Sequence, residues 1–514
     1  MKRQNKKSLF LSSAKISSAT LISRLLGLVR EQLMAHLFGA SLLTDTFLVA
    51  YRIPNLLRDL FAEGIFSMAF IPTFTEAKQQ GIEKARELLW ALFIALGLIT
   101  GSIALFVILF STEIVGSFAP EFKEHAEALL LCSNQTKIMA IFLLLISWTA
   151  LISGALNTHK IFFLPALAPA IFNFFMVSGV LFFYYLAPYA HFNPIYALSL
   201  SVTVAAIFQL LMVFIPLTSV HLSFKWPKKI WSSLTLKVFK KVIPGLVGMA
   251  ANQINLLINT ILATQFVGAV SYLNYAFRLY QFPIGVLGVS IASSNLVHFS
   301  HAWKEGNKKE AADFLHSSLQ ASLVLMLLAL SYVIICHEEL VFLVFQRGAF
   351  SSSDTIATAQ ALLLYSLGLP FYGLQKVLTP VFYTIDEQKK AVFFSLCSIG
   401  LNIAFSLRFA PEYGHKALAL AQSVAVFLNA LLLFFTLKRA KILNLRKFFS
   451  NKTIKLILII SLATLAGSQA QRFYEGSSHF FLLFAKSTLY FGLLLVLMVI
   501  SGELGHFKRF LRHK

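Results

Sequence analysis

The stretch Ser23-Arg24-Leu25-Leu26-Gly27-Leu28-Val29-Arg30-Glu31 lies inside an apolar run, residues 11–36, that is long enough to cross a bilayer. Its two arginines decide how the chain is read. A charge at bilayer depth costs at least about 2.5 kcal/mol on the mildest insertion scale, so such residues face a wet cavity or a partner. Arg52, Arg58 and Arg278 fall in stretches of the same kind. Five guanidiniums within apolar segments point to a cavity that attracts anions.

Outward from this stretch the whole chain has the same character. Of 514 residues, 57% are hydrophobic and only 13% charged, a balance that a water-soluble domain of this size does not carry on its surface. Segments of about 20 apolar residues, enough to span a hydrocarbon core roughly 30 Å thick, recur from end to end. The expected fold is therefore an all-α polytopic membrane protein with fourteen transmembrane helices, at 11–36, 43–68, 88–112, 131–155, 161–186, 194–218, 241–263, 268–297, 313–336, 357–383, 391–410, 417–437, 455–470 and 480–502. The second, seventh and tenth carry polar interruptions. An even number of spans places both termini on one side of the membrane.

Lysine and arginine decide which side. With the first segment starting in the cytoplasm, the cytoplasmic pieces hold 30 of the 44 basic residues, against five in the opposite loops: Lys123, Arg347, Arg408, Lys416 and Arg472. The positive-inside rule then makes both termini cytoplasmic. The net charge of +22 follows from this topology and from anionic inner-leaflet lipid, not from nucleic-acid binding. The basic run from His506 to Lys514 reads as a solvated anchor. At the other end, Lys2, Arg3, Lys6 and Lys7 followed by an apolar run resemble a secretory signal. That run is long, contains Arg24 and Arg30 and lacks a clear small-residue cleavage site, so it is expected to remain as the first span. Cys132, Cys336 and Cys397 show no metal-ligand spacing and read as small core residues.

An internal repeat organises the spans. Ala50-Tyr51-Arg52-Ile53 matches Ala276-Phe277-Arg278-Leu279, and Phe74, Ala77, Lys78 and Gly81 recur as Phe299, Ala302, Lys304 and Gly306. Asn173 is echoed by Asn402, and Ser201-Val202-Thr203-Val204 by Ser423-Val424-Ala425-Val426. Six spans per copy give the copies the same orientation, so the expectation is two six-helix lobes in a parallel pseudo-twofold repeat. The expected divisions are an N-lobe at 1–232, a C-lobe at 233–440, and two additional helices at 441–514 that extend the bundle or form a lipid-facing groove.

Such a body needs a substrate path, and the repeat makes Arg52 and Arg278 equivalent. Arg24 and Arg30, six residues apart on a helix, project about 120° from one another and about 9 Å along the axis, so they line a wall and not a point. Asp45, Arg52 and Asp59 are spaced by seven and share a face, with Pro54 between them as a kink. Structural roles compete with these readings. Glu31 can balance Arg30 or Arg24, Asp59 and Glu63 can balance Arg58, and any long arginine can snorkel. Lys137, Lys376 and Lys486 fit an interfacial role as well as substrate contact. Lys376 lies in a span interrupted by Gly368, Pro370, Gly373 and Pro380, and Gly285 and Gly288 follow Pro283 in the eighth span. Both compositions suit helices that bend or pack closely.

At this point the residues carry a family resemblance. The run Ser23 to Glu31, Phe38-Gly39-Ala40, Thr44-Asp45, and Pro54-Asn55-Leu56-Leu57-Arg58-Asp59-Leu60-Phe61-Ala62-Glu63-Gly64 resemble the MurJ (MviN) lipid II flippases of the MOP exporter superfamily. So do Arg278-Leu279 and Phe282-Pro283-Ile284-Gly285-Val286-Leu287-Gly288, and the likeness extends over essentially the whole chain. The resemblance implies two six-helix lobes around a central cavity, with the last two helices forming a groove for a lipid tail. It also implies alternating access that carries lipid II, the undecaprenyl-diphosphate-linked disaccharide-pentapeptide of peptidoglycan synthesis, from the inner to the outer leaflet of the bacterial cytoplasmic membrane. Arg24, Arg30, Arg58 and Arg278 match cavity arginines of the family, Asp45 matches a functional acidic position, and the repeat adds Arg52 as a substrate-binding candidate. The partners so implied are lipid II, membrane lipid and cell-wall synthesis proteins.

Diphosphate oxygens suit planar guanidiniums, which bind them by charge-assisted, often bidentate hydrogen bonds. Two departures bear on energy coupling: Phe277 and Gln281 stand where some relatives carry acidic residues. No GxxxxGK[ST] run occurs, so no built-in ATPase is expected. Membrane potential or an ion gradient is the expected energy source, with no cofactor, metal or catalytic residue. The alternatives are a flippase for another polyprenyl-diphosphate-linked glycan, an exporter of drug-like cations, a membrane-embedded enzyme of lipid-linked sugar metabolism, or a scaffold. An arginine-rich cavity disfavours the cation exporter. An enzyme would need clustered carboxylates or histidines for metal or acid-base chemistry, whereas the 13 histidines are scattered. A scaffold would leave the intramembrane arginines without a purpose.

Overall fold

The computed structural model describes residues 2–62, 65–473, 478–503 and 505. Glu63 and the run from His506 to Lys514 lie outside the described residues, as do the side chains of Lys2, Arg3, Lys6, Lys7 and Asp59. All regular structure among the described residues is helical. Hydrocarbon offers backbone N–H and C=O groups no water, so apolar segments take the form that closes its hydrogen bonds internally.

The chain forms two compact units, Met1–Gly268 and Ala269–Lys514. The first holds α1 (Lys2–Phe38), α2 (Leu42–Ala62), α3 (Ile65–Gln79), α4 (Ile82–Leu109), α5 (Ser111–Phe118), α6 (Ala126–Thr158), α7 (Phe163–Leu186), α8 (Tyr196–Phe214) and α9 (Ser233–Thr264). The second holds α10 (Ala269–Pro283), α11 (Val289–Lys304), α12 (Lys308–Phe345), α13 (Ser352–Ser366), α14 (Leu369–Thr384), α15 (Gln388–Tyr413), α16 (His415–Arg439), α17 (Leu445–Phe448), α18 (Asn451–Phe473) and α19 (His479–Ile500).

Nine helices among the described residues are long and apolar enough to cross a membrane, or ten if α13 and α14, bent by 44°, form one broken span. The expected fourteen are therefore not reached by length and apolarity alone. The segments that fall short are helical but polar or divided. Residues 11–36 carry Arg24 and Arg30, 43–68 are shared by α2 and α3, 241–263 contain Asn252, Asn255 and Asn259, and 268–297 are broken by a π-helical turn at Ile284–Gly288. Such π turns concentrate at functional positions. Pro54 sits inside α2 without ending it.

In the first unit Phe66, Phe70 and Phe74 stack along α3 and pack with Leu88 and Trp90 of α4 and Leu151, Ile152 and Leu156 of α6. The basic segment before α9, and α9 itself at Lys237, are fastened to this core. Trp90 Nε1 donates to the carbonyls of Leu222 and Ser223 at 3.1 Å each, while Lys237 pairs with Glu76 at 2.6 Å and Lys225 with Glu83 at 3.3 Å. The hydrogen bond from Lys237 holds the Glu76 carboxyl below its usual range, and those from Arg86 and Lys225 do the same for Glu83.

In the second unit α12 and α14 approach closely at Gly373. A Cβ there would lie 2.6 Å from Ser322 Oγ and 2.7 Å from Met326 Cγ. Helix α12 breaks at Cys336 (φ −124°, ψ 18°), and α19 packs beside that break. Ser331 bonds Tyr490, Tyr332 bonds Ser487 at 3.0 Å, and Lys486 donates to Glu339 Oε1 at 2.5 Å with both side chains 3% exposed. The intramembrane Lys486 is thus half of a buried ion pair joining α19 to α12. Removing one partner of such a pair costs about 3–5 kcal/mol. Glu339→Gln or Lys486→Met alone should lower the thermal unfolding midpoint of the purified protein by several degrees, and the charge-reversed double variant Glu339→Lys/Lys486→Glu should recover most of the loss.

Candidate functional site

The arginines of the first unit are held in different ways. Arg30 on α1 is half-buried; its Nη2 meets Glu31 Oε1 at 2.6 Å and its Nη1 donates to Asn173 Oδ1 on α7 at 3.1 Å. Asn173 in turn donates from Nδ2 to the Ser23 carbonyl at 3.0 Å. Helices α1 and α7 are therefore joined through one amide that also aims the Arg30 fork. Of the two roles open to Glu31, the structure selects Arg30.

Arg24 is exposed and has neither a hydrogen bond nor an ion pair among the described residues. Arg58 on α2 is half-buried and within electrostatic reach of Arg30, so two like charges come near one another on this unit. Arg52 donates from Nη1 to Thr260 Oγ1 on α9 at 2.5 Å. Asp45 is 1% exposed, and its Oδ2 accepts from the Gly268 backbone N–H at 2.7 Å. Gly268 has φ +80°, a conformation glycine reaches without Cβ strain. Asp45 thus holds the turn after α9. The structure brings Arg30 and Arg58 together and directs Arg52 and Asp45 to α9 and its end.

In the second unit Arg278 is exposed on α10, just before the π turn. Its neighbour Phe277 packs against Tyr280 at 5.6 Å and Tyr365 at 5.7 Å, as part of an aromatic cluster. Lys376 is exposed and lies 5.2 Å from the centroid of the Tyr372 ring, a cation–π contact, and Lys137 is also exposed.

Asn173 and Thr260 are the partners that sequence reading did not nominate. Asn173 entered only as a mark of the repeat, although an amide in an apolar span always needs a hydrogen-bond partner. Its repeat counterpart Asn402 bonds Gln422 at 3.4 Å.

Comparison with known proteins places this arrangement. The family described as "Lipid II flippase MurJ" matches residues 34–487. The chain belongs to the MurJ family. A "Probable lipid II flippase MurJ" from Buchnera aphidicola subsp. Schizaphis graminum is 35% identical over 431 residues, covering 83% of each chain. The "Lipid II flippase MurJ" of Burkholderia cenocepacia is 34% identical over 440 residues, 84% of each chain. Among solved structures, "Lipid II flippase MurJ, inward closed conformation" aligns with TM-score 0.79 and 26% identity over 95% of this chain and 99% of that one. An inward-facing multidrug resistance MATE transporter of the MOP superfamily aligns with TM-score 0.63 over 85% of this chain and 99% of its own, at 13% identity, which is a likeness of fold alone.

Within this MurJ family member, the Asn173 amide is the hinge of the Arg30 arrangement. Asn173→Leu removes its hydrogen bonds to Arg30 and Ser23 while roughly keeping its volume. It should reduce lipid translocation by reconstituted protein about tenfold, the equivalent of one hydrogen bond to a charged group, and Asn173→Gln should restore part of the rate. Stopped-flow or dithionite-quench assays of labelled lipid in vesicles measure both.

Proposed function

We propose that this protein flips lipid II from the inner to the outer leaflet of the bacterial cytoplasmic membrane by alternating access, acting as a transporter and not as an enzyme. The relatives' printed names support the substrate. The observation that carries the reading to this chain's own residues is Arg24: an exposed guanidinium on α1, the helix expected to be the first span, without an intramolecular hydrogen bond or ion pair among the described residues. Such a group is costly unless a ligand or water receives it. A diphosphate is a ligand of the right charge and shape, since its oxygens accept paired N–H donors from a planar fork.

In this reading Arg24 makes the first contact with the diphosphate, and Arg30, oriented by Glu31 and Asn173, receives it one and a half turns along α1. Arg58 adds positive potential near Arg30. Arg278 supplies a further cation on the second unit, at the position the internal repeat makes equivalent to Arg52. The polyprenyl tail stays in lipid while the head crosses, and the additional helices at 441–514 offer it a groove beside the lobes at 1–232 and 233–440. Both termini face the cytoplasm. Membrane potential or an ion gradient drives the cycle, and proteins of cell-wall synthesis are the partners that use the product.

Vesicles containing the protein and labelled lipid II test this directly. Arg24→Ala, Arg30→Ala and Arg278→Ala should each lower the translocation rate by at least about tenfold, with Arg24→Lys intermediate because charge remains without the fork. Unchanged translocation in all three alanine variants would overturn the reading.

A further inference from the structure

The second unit contains a cavity of about 660 Å³ that the arginine chemistry does not use. It lies between the last turns of α11 and α14 and is lined by Ser300, Trp303 and Lys304 on one side and by Thr379, Tyr383 and Asp386 on the other. Its volume falls within the range of about 300–1,000 Å³ typical of ligand sites.

The lining is chemically mixed; Ser300 Oγ pairs with Thr384 Oγ1 at 3.0 Å, and the other polar groups are unspent. Lys304 and Asp386 carry opposite charges into one cavity, yet neither makes an ion pair or side-chain hydrogen bond among the described residues. The Trp303 indole N–H and the hydroxyls of Thr379 and Tyr383 likewise have no hydrogen-bond partner there. Trp303 itself is fixed in place, stacked on Phe299 at 5.6 Å and 14°, with Lys308 Nζ 5.7 Å from its ring centroid. Tyr383 is 56% exposed and makes no ring contact among the described residues, so a face of its ring is open. Asp386 adopts φ +60° immediately after α14, where the Glu387 N–H donates to the Phe382 carbonyl at 2.8 Å. That left-handed cap position is most often glycine, and here it carries a carboxylate at the cavity instead.

We infer that this cavity is a receiving subsite for the sugar–peptide headgroup of a lipid-linked glycan. The inference rests on the function proposed above and adds where the uncharged bulk of the substrate is held. An open aromatic face stacks on the apolar face of a pyranose ring, the protein hydroxyls donate to and accept from its hydroxyl and acetamido groups, and the Asp386 carboxylate accepts from them. The Lys304 ammonium receives a peptide carboxylate. A simple anion site would have no use for Asp386, and an apolar tail site would have no use for the hydroxyls. In the topology proposed above, residues 300–312 and 384–390 face the cytoplasm, so the cavity opens on the side where the headgroup is presented.

The test uses the full-length protein in vesicles with labelled lipid II as substrate and undecaprenyl diphosphate, which has no sugar or peptide, as competitor. Asp386→Asn, Lys304→Met and Tyr383→Ala should each raise the lipid II concentration giving half-maximal flipping about five- to tenfold, with maximal rate and unfolding midpoint within twofold and two degrees of wild type. The inhibition constant of undecaprenyl diphosphate should not change, whereas Arg24→Ala should weaken it. Variants that leave the lipid II dependence unaltered, or that shift substrate and competitor equally, would overturn the subsite. A wild-type protein that binds undecaprenyl diphosphate but flips no lipid II would instead overturn the function on which the subsite rests.

Discussion

A polar group placed in hydrocarbon has no water to fall back on, and much of this structure answers that constraint. The backbone meets it by being helical. Side chains meet it by finding one another: Arg30 with Glu31 and Asn173, Lys486 with Glu339, Asp45 with the Gly268 amide, and Arg52 with Thr260. Each pairing crosses from one segment to another or fixes a turn. Satisfying charge is therefore also how the helices are tied together, since packing between apolar helices has little hydrophobic drive when lipid is equally apolar.

Seen this way, the residues that do not comply are the informative ones. Arg24 is left without a hydrogen bond or ion pair among the described residues, while Arg30, six residues away, is held from two sides. One helix thus presents a ready contact and a preorganised one, an arrangement suited to passing an anion along a wall. The cavity between α11 and α14 repeats the theme with charges of both signs, Lys304 and Asp386, that have no partner among the described residues. By contrast, Lys486 is fully engaged in holding α19, so an intramembrane lysine and an intramembrane arginine have opposite uses in one chain.

The helical class and the segments in which helices occur were legible from composition and spacing, because span length follows directly from bilayer thickness. The expected fourteen rested on admitting segments rich in charge and amide, and those are the ones that fail an apolarity criterion, which leaves nine or ten spans among the described residues. Arg24, Arg30 and Arg278 stood out because a guanidinium in an apolar run is expensive. Thr260 did not stand out, because a hydroxyl is cheap and bonds its own helix carbonyl, as Thr260 does to Leu256 at 2.6 Å. The separation of Trp303 and Lys304 from Asp386 by about eighty residues hid the cavity as well.

What the sequence by itself determined is the kind of molecule: an all-helical membrane protein of the MurJ family with costly arginines that call for an anion. Its cause is one-dimensional, since apolar length and the cost of a charge act on each segment separately. Only the tertiary structure decided which of these charges are spent on the fold and which have no partner among the described residues. Glu31 took Arg30, Asp45 took a backbone turn, Lys486 took Glu339, and Arg24 kept its charge. Pairing energy falls steeply with distance, so partnership is fixed by ångström-scale proximity between helices, which no spacing along the chain encodes.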